Sequence, residues 1–198
     1  MRHPLSIALI LAACLCHTGC LSSENKLAYA NESTGGLESI TVSSPAFRHG
    51  KPIPKRYTAD GENISPPLAW NRAPDPAQQY VLIMEDPDAS NKEPFVHWIV
   101  YDLPTSTLSL PEGISPPGAK TTGAAQHWIE GTNSVGQIGY YGPKPPSGKR
   151  HRYFFELFAV DTVLNLPPGA TKKDILNAME DHIIAKGLLM GTYQPNPH

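Results

Sequence analysis

The sequence predicts a mostly β domain, a sandwich of two sheets with few helices, and three observations carry that expectation. There are 21 prolines in 198 residues, roughly twice the usual proportion, so few stretches could run as a long helix. Four short runs rich in β-branched and aromatic residues are bounded by Pro, Gly, Asn or Asp, as strands are. A single segment near the C-terminus has helical spacing.

The leader is set aside before the fold is read. Arg2 precedes an apolar run over 5–15, far shorter than the roughly 20 residues that span a bilayer, so residues 1–20 read as a signal peptide. All three cysteines, Cys14, Cys16 and Cys20, lie at its end, which leaves the exported domain without an internal disulfide. Two of them resemble the acceptor of a bacterial lipoprotein signal. Leu11-Ala12-Ala13-Cys14 matches best locally but leaves a very short leader. Cys20, after Thr18-Gly19, gives the more usual length and is the preferred lipidation residue, with His17 where the pattern wants leucine. An ordinary cleaved leader is the alternative.

Residues 21–37 are polar with little periodicity and read as a flexible tether. Residues 38–198 form one domain, long enough to bury a core. Its strand candidates are 37–43, 79–85, 95–101 and 152–160, with a short final strand at 188–193. Thr171 with Asp174 reads as a capping box. Ile175, Ala178, Met179, His182 and Ile183 then recur at helical spacing, and Gly187 is expected to end that helix in the left-handed region. A net charge of −2 gives no basic footprint, so nucleic acid is not an expected partner. The sequons at Asn31 and Asn63 are short enough to be chance.

Alternation of faces along strands places the polar residues. Asp86 falls on the face of Tyr80, Leu82 and Met84; His97 on that of Phe95, Ile99 and Tyr101; His151 and Tyr153 on that of Phe155 and Leu157. Polar groups on buried faces must find partners or shift their ionisation, so Asp86, His97, His151 and Tyr153 are the candidate lining of one pocket. Two proline-rich turns flank them, Asp86-Pro87-Asp88-Ala89 and Gly142-Pro143-Lys144-Pro145-Pro146-Ser147-Gly148, the second stiff and open before a ligand arrives, with Gly142 admitting a ligand close to the backbone.

The runs Asp60-Gly-Glu-Asn-Ile-Ser-Pro-Pro67 with Trp70, Asp86-Pro-Asp-Ala89, Phe95-Val-His-Trp98, Gly139-Tyr-Tyr-Gly-Pro-Lys-Pro-Pro146 and His151-Arg-Tyr153 resemble the phosphatidylethanolamine-binding protein family, also called the Raf kinase inhibitor protein family, and its bacterial branch most closely. The resemblance covers roughly residues 38–194. It implies a β-sandwich of a large antiparallel sheet and a smaller sheet with peripheral helices. It also implies a small anion pocket at Asp86, His97, Gly142, His151 and Tyr153, with Pro87, Pro145 and Pro146 as apolar rim. By the same resemblance the protein is not an enzyme and needs no cofactor, and it modulates a kinase, a protease or another partner. For an exported chain that partner lies in the cell envelope, and bacterial relatives suggest a homodimer. The C-terminal helix that covers the mouth in mammalian members has no match after Tyr193.

Imidazoles, a tyrosine hydroxyl and backbone N–H groups beside Gly142 are donors suited to phosphate oxygens. Asp86 is expected to hold His97 or His151 in a protonated, donating form, so that anion affinity rises as pH falls. The alternative is a metal-assisted hydrolase using Asp86, His97 and His151 as ligands and Glu62 or Asp88 as general base, although HExxH is missing. Residues 131–136 miss the G-x-S-x-G pattern by one position. Trp70, Trp98 and Trp128 read as packing residues, Asp60 and Glu62 as solvated turn formers, and Lys149, Arg150 and Arg152 as a solvated basic patch.

Overall fold

The structure is a computed structural model that describes residues 37–115 and 128–196. The leader, Cys20 and nearly all of the tether lie outside the described residues. Among the described residues, nine strands and one α-helix make three layers. The strands are β1 (Glu38–Ser39), β2 (Val42–Ser43), β3 (Leu68–Trp70), β4 (Gln79–Asp86), β5 (Phe95–Pro104), β6 (Ser109–Leu110), β7 (Ile129–Glu130), β8 (His151–Val160) and β9 (Ile183–Tyr193), and the helix is α1 (Lys172–Met179). The large sheet runs β1-β9-β8-β4-β5-β7 and the small one β2-β3-β6. Pairing is antiparallel except at the edge, where β1 lies parallel to β9, so the large sheet is mixed.

One apolar layer lies between the sheets, with Ile40, Val42, Leu68 and Trp70 facing Leu82, Met84, Trp98 and Phe155. The second lies under the helix, where Ile175, Leu176 and Met179 pack on Val81, Ile83, Ile99 and Phe158. With both faces covered, every residue of β4 is buried, which explains its unbroken apolar run.

Three expectations are corrected. The run 37–43 is not one strand: Glu38 and Ser39 pair with β9, the chain crosses at Ile40 and Thr41, and Val42 and Ser43 pair with β3 in the other sheet. Ile40 and Val42 are both buried, but a strand-like run carries no information about which sheet each residue joins. Three short strands, β3, β6 and β7, had no signal of their own. At the C-terminus the capping box forms, with Thr171 Oγ1 accepting from the Asp174 N–H and Asp174 accepting from the Thr171 N–H. The helix nevertheless stops after Met179, and Asp181, at φ 63°, supplies the left-handed turn. His182 and Ile183 leave the helix, and Gly187 sits inside the long strand β9. There a Cβ would come within 2.2 Å of the Ile40 carbonyl oxygen, so the glycine serves close packing of β1 rather than a cap.

Candidate functional site

β4 and β8 pair in continuous register from Gln79 with Val160 to Glu85 with Phe154, so faces expected from alternation hold along both. Asp86 therefore ends the row Tyr80, Leu82, Met84, and His151 and Tyr153 begin the row Phe155, Leu157. The two rows meet at one end of these central strands, and His151 Nδ1 lies 2.7 Å from Asp86 Oδ2 with both residues buried. The other carboxylate oxygen accepts the backbone N–H of Asp88 at 2.8 Å. A carboxylate can only accept when ionised, so the proton of this contact sits on His151 Nδ1 and the ring's second nitrogen is left for the cavity.

His97 reaches the same place by a different device. The β4–β5 register shifts between Met84, which faces Trp98, and Glu85, which faces Val96. His97 is the extra residue of a β-bulge, and it turns away from Val96 and Ile99 toward Tyr153, whose ring centroid is 5.2 Å away. This corrects the expected face: His97 does not share a row with Ile99 and Tyr101, which pack under the helix. Ser134 pins one side of the bulge, its Oγ accepting from Val96 N at 2.8 Å and its N–H donating to the Val96 carbonyl. Tyr141 pins the other, donating its N–H to the His97 carbonyl at 2.9 Å. The Tyr141 carbonyl in turn lies 2.6 Å from His97 Nδ1. A carbonyl has no proton to give, so Nδ1 carries the hydrogen. Bulges of this kind recur beside functional sites because they re-aim one side chain.

The loop that carries Tyr141 is held from behind by the segment 57–63. Gly142 donates its N–H to Asn63 Oδ1 at 2.7 Å, Ala59 donates to the Pro143 carbonyl, and the Tyr140 hydroxyl donates to the Tyr57 carbonyl. A Cβ on Gly142 would meet Tyr57 O, Ala59 N and Asn63 Oδ1 within 2.8 Å. The glycine thus admits protein backbone rather than a ligand, and its N–H, expected to be an anion donor, is already committed to Asn63.

These elements enclose a cavity of about 240 Å³ lined by Asp86, Phe95, His97, Tyr141, Lys144 and His151, with Ala89, Ser90, Val135, Pro145 and Pro146. Burial holds the His97 imidazole down at about 4, against weaker support for its charged form from the Tyr141 carbonyl and Asp86, so His97 is neutral at neutral pH. Of the two rings expected to pair with Asp86, His151 is the one that does, and His97 is not.

Of the expected site residues, Asp86, His97, His151, Pro145 and Pro146 line the cavity together. Tyr153, Gly142 and Pro87 do not. Tyr153 is fully buried beneath the wall. Its hydroxyl is pushed upward in pKa by burial and by the Asp86 carboxylate. Sequence reasoning missed Tyr141 and Lys144 as lining residues, although both lie inside the glycine- and proline-rich motif that was singled out.

The alternative roles resolve into structural ones. Arg152 grips Asp88 through Nε–Oδ2 at 2.9 Å and Nη2–Oδ1 at 2.6 Å, and this contact holds the Asp88 carboxyl below its usual range, so neither is a free patch or base. Glu62 pairs with Arg56, and Asp60 accepts from the Tyr193 hydroxyl. Trp70 and Trp98 lie in the core, and Trp128 packs against it. Among the described residues no group of three or more His, Cys, Asp or Glu is arranged to hold a metal ion, which leaves the hydrolase alternative without a ligand set.

A two-sheet β architecture with an end pocket built on paired imidazoles defines the class. The sequence matches the profile of the phosphatidylethanolamine-binding protein family over residues 43–194, and the chain belongs to that family. It is 45% identical over 155 residues to a UPF0098 protein of Methanothermobacter thermautotrophicus, covering 78% of this chain and 99% of that protein. A crystal structure of a phosphatidylethanolamine-binding protein homologue from Chlamydia trachomatis aligns with a TM-score of 0.69 at 40% identity, over 79% of this chain and 98% of the other. Escherichia coli YbcL shares the fold at a TM-score of 0.71 and 23% identity, over 78% of this chain and 98% of the other.

Proposed function

We propose that this protein binds a small oxoanion, phosphate or a phosphoryl group, in the cavity between His97 and His151, and acts by holding it rather than transforming it. One observation carries the reading. Two imidazoles from different strands each spend Nδ1 on a protein acceptor, which leaves a second nitrogen on each ring, and both rings line one hollow that Lys144 also lines. The Lys144 ammonium, and any imidazole that carries a proton on its cavity-side nitrogen, donate to phosphoryl oxygens, and Asp86, which would repel an anion if free, is occupied by His151 and Asp88. The apolar wall of Phe95, Val135, Pro145 and Pro146 makes the site a clamp around a few polar groups, as ligand pockets are. A larger hollow of about 570 Å³ adjoins across Lys144 and Pro145 and gives room for a group attached to the phosphoryl. The leader read in residues 1–20 supports use of the site outside the cytoplasm, where a bound ligand would control access of an envelope partner to the mouth.

Calorimetric titration of inorganic phosphate and O-phosphorylethanolamine into wild type and His151→Ala tests the reading. Saturable binding by wild type, weakened in the variant, is the expected result. No binding by wild type, or undiminished binding by a folded variant, overturns it.

A further inference from the structure

The larger hollow, of about 570 Å³, opens directly beside the anion cavity, and Lys144 and Pro145 line both. Three segments build it. The floor is the end of β9 and the chain that follows, Tyr193 to Asn196. One wall contains Lys55 and Asp60. It is tied to the floor where Ile53 donates its N–H to the Thr192 carbonyl and the Tyr193 hydroxyl donates to Asp60 Oδ2 at 2.9 Å. The other wall is the loop that carries Lys144, tied to the same floor by Gln194 Nε2 donating to the Gly148 carbonyl at 3.0 Å. Behind them the Ala59 N–H donates to the Pro143 carbonyl and joins the two walls. The backbones that carry Lys55 and Lys144 are therefore fixed on two sides of one opening, so a ligand need not order them.

The charges on this opening are unbalanced. Other cations of the same end are paired, Arg56 with Glu62 and Glu112, and Arg152 with Asp88. Lys55 and Lys144 have no side-chain partner among the described residues. Asp60, the carboxylate of the lining, forms no ion pair with either and accepts from Tyr193 instead. Two ammonium groups on one opening repel each other, and an anion between them relieves that repulsion. We infer that the ligand carries two anionic groups, a phosphoryl in the cavity between His97 and His151 and, a few bonds away, a second one held in the larger hollow by Lys55. Lys144 lines both spaces and serves both groups. The inference rests on the oxoanion reading of the cavity and adds to it the chemistry of what is attached. Phosphorylated carboxylic acids and short-chain bisphosphates make up the class. Lys55, which does not line the anion cavity, is then a specificity-determining residue that reads the second group alone.

Calorimetry at neutral pH with matched phosphonates tests it. Phosphonocarboxylic acids of increasing chain length are each compared with the alkylphosphonate of the same length, so that a pair differs only in the second anionic group. The expected result is that at one or more lengths the acid binds wild type about tenfold more tightly than its alkyl partner. That advantage is expected to vanish in Lys55→Met, which keeps the stem, and to survive in Lys55→Arg, which keeps the charge. The Lys55 side chain is exposed and loses no partner when replaced, and thermal melts matching wild type are expected to show both variants folded. Three results overturn the inference and leave the oxoanion site standing. They are no advantage at any length, an advantage that persists in folded Lys55→Met, and a larger gain from aminoalkylphosphonates, which would assign the hollow to a cation at Asp60. Failure of every phosphonate to bind overturns it as well, and failure of inorganic phosphate besides removes the oxoanion site with it.

Discussion

Glu85 and Asp86 are consecutive residues of one strand, both buried, and they face opposite sides of the large sheet. On the helix side the Glu85 carboxylate has no solvent exposure and meets the Lys172 ammonium, while Glu156 on the neighbouring strand is pushed up to about 8, chiefly by burial and then by the charge of Glu85. On the cavity side Asp86 meets His151, and two ring nitrogens remain open to a hollow. Both faces hold buried charge, but on one the helix closes over an ion pair, and on the other no described residue covers the cavity side of the two rings. Buried charge alone therefore does not mark a binding site; an unfilled donor or acceptor facing open volume does.

Substitutions that separate the two faces sharpen the comparison. Lys172→Met strands Glu85 without its cation, and breaking a buried pair from one side costs about 3–5 kcal/mol. Urea denaturation is expected to show that loss while phosphate affinity at the cavity stays unchanged. Lys144→Ala should do the reverse, weakening phosphate about tenfold in calorimetry with a smaller change in stability, because Lys144 lines the cavity from an exposed position. Loss of both quantities together in either of these two variants would break the distinction between the faces.

Gly142→Ala tests the brace behind the cavity. The added methyl meets backbone atoms of Tyr57 and Ala59 within 2.8 Å, and such overpacking costs about 1–3 kcal/mol. Because Tyr141 is carried by the same loop, thermal denaturation and phosphate affinity should both suffer, whereas an unchanged affinity would show that the brace does not position His97.

The smallest effect is confined to a pH window. Glu156 has its folded pKa raised from 4.5 to about 8, so its contribution to stability is complete below about pH 4.5 and is lost as pH rises through 8. Glu156→Gln removes that slope, and the gap between variant and wild-type stability should widen in favour of the variant from pH 5 to pH 8. His97 has the opposite sign. With its folded pKa lowered from 6.5 to about 4, its contribution is present above pH 6.5 and lost as pH falls through 4. A parallel pH dependence in wild type and Glu156→Gln would contradict the assignment of the helix-side slope to Glu156.

How much of this was legible in the sequence depends on whether strand periodicity ran undisturbed. Asp86, His151 and Tyr153 were placed on the correct face because β4 and β8 pair in continuous register. His97 was placed on the wrong face because a bulge is made by bonds from distant residues, Ser134 and Tyr141, which a period of two does not report. Gly142 was legible as a position of close approach but not as to what approaches, since Asn63 lies 79 residues away along the chain. The end of the helix was misplaced because Ile183 and Gly187 continue a helical spacing that the left-handed Asp181 interrupts first. The motif resemblance supplied the family and the convergence of the site, while tautomers and lining residues needed coordinates.

The central claim is that His97 and His151, 54 positions apart in the sequence, receive one anion between them. Long-range proton–nitrogen NMR of the histidine rings during a phosphate titration tests it most directly. The account predicts that the His97 and His151 ring nitrogens move with one shared saturation curve while those of His49 and His182 stay still. Silence from both cavity rings, or separate curves for the two, would contradict it.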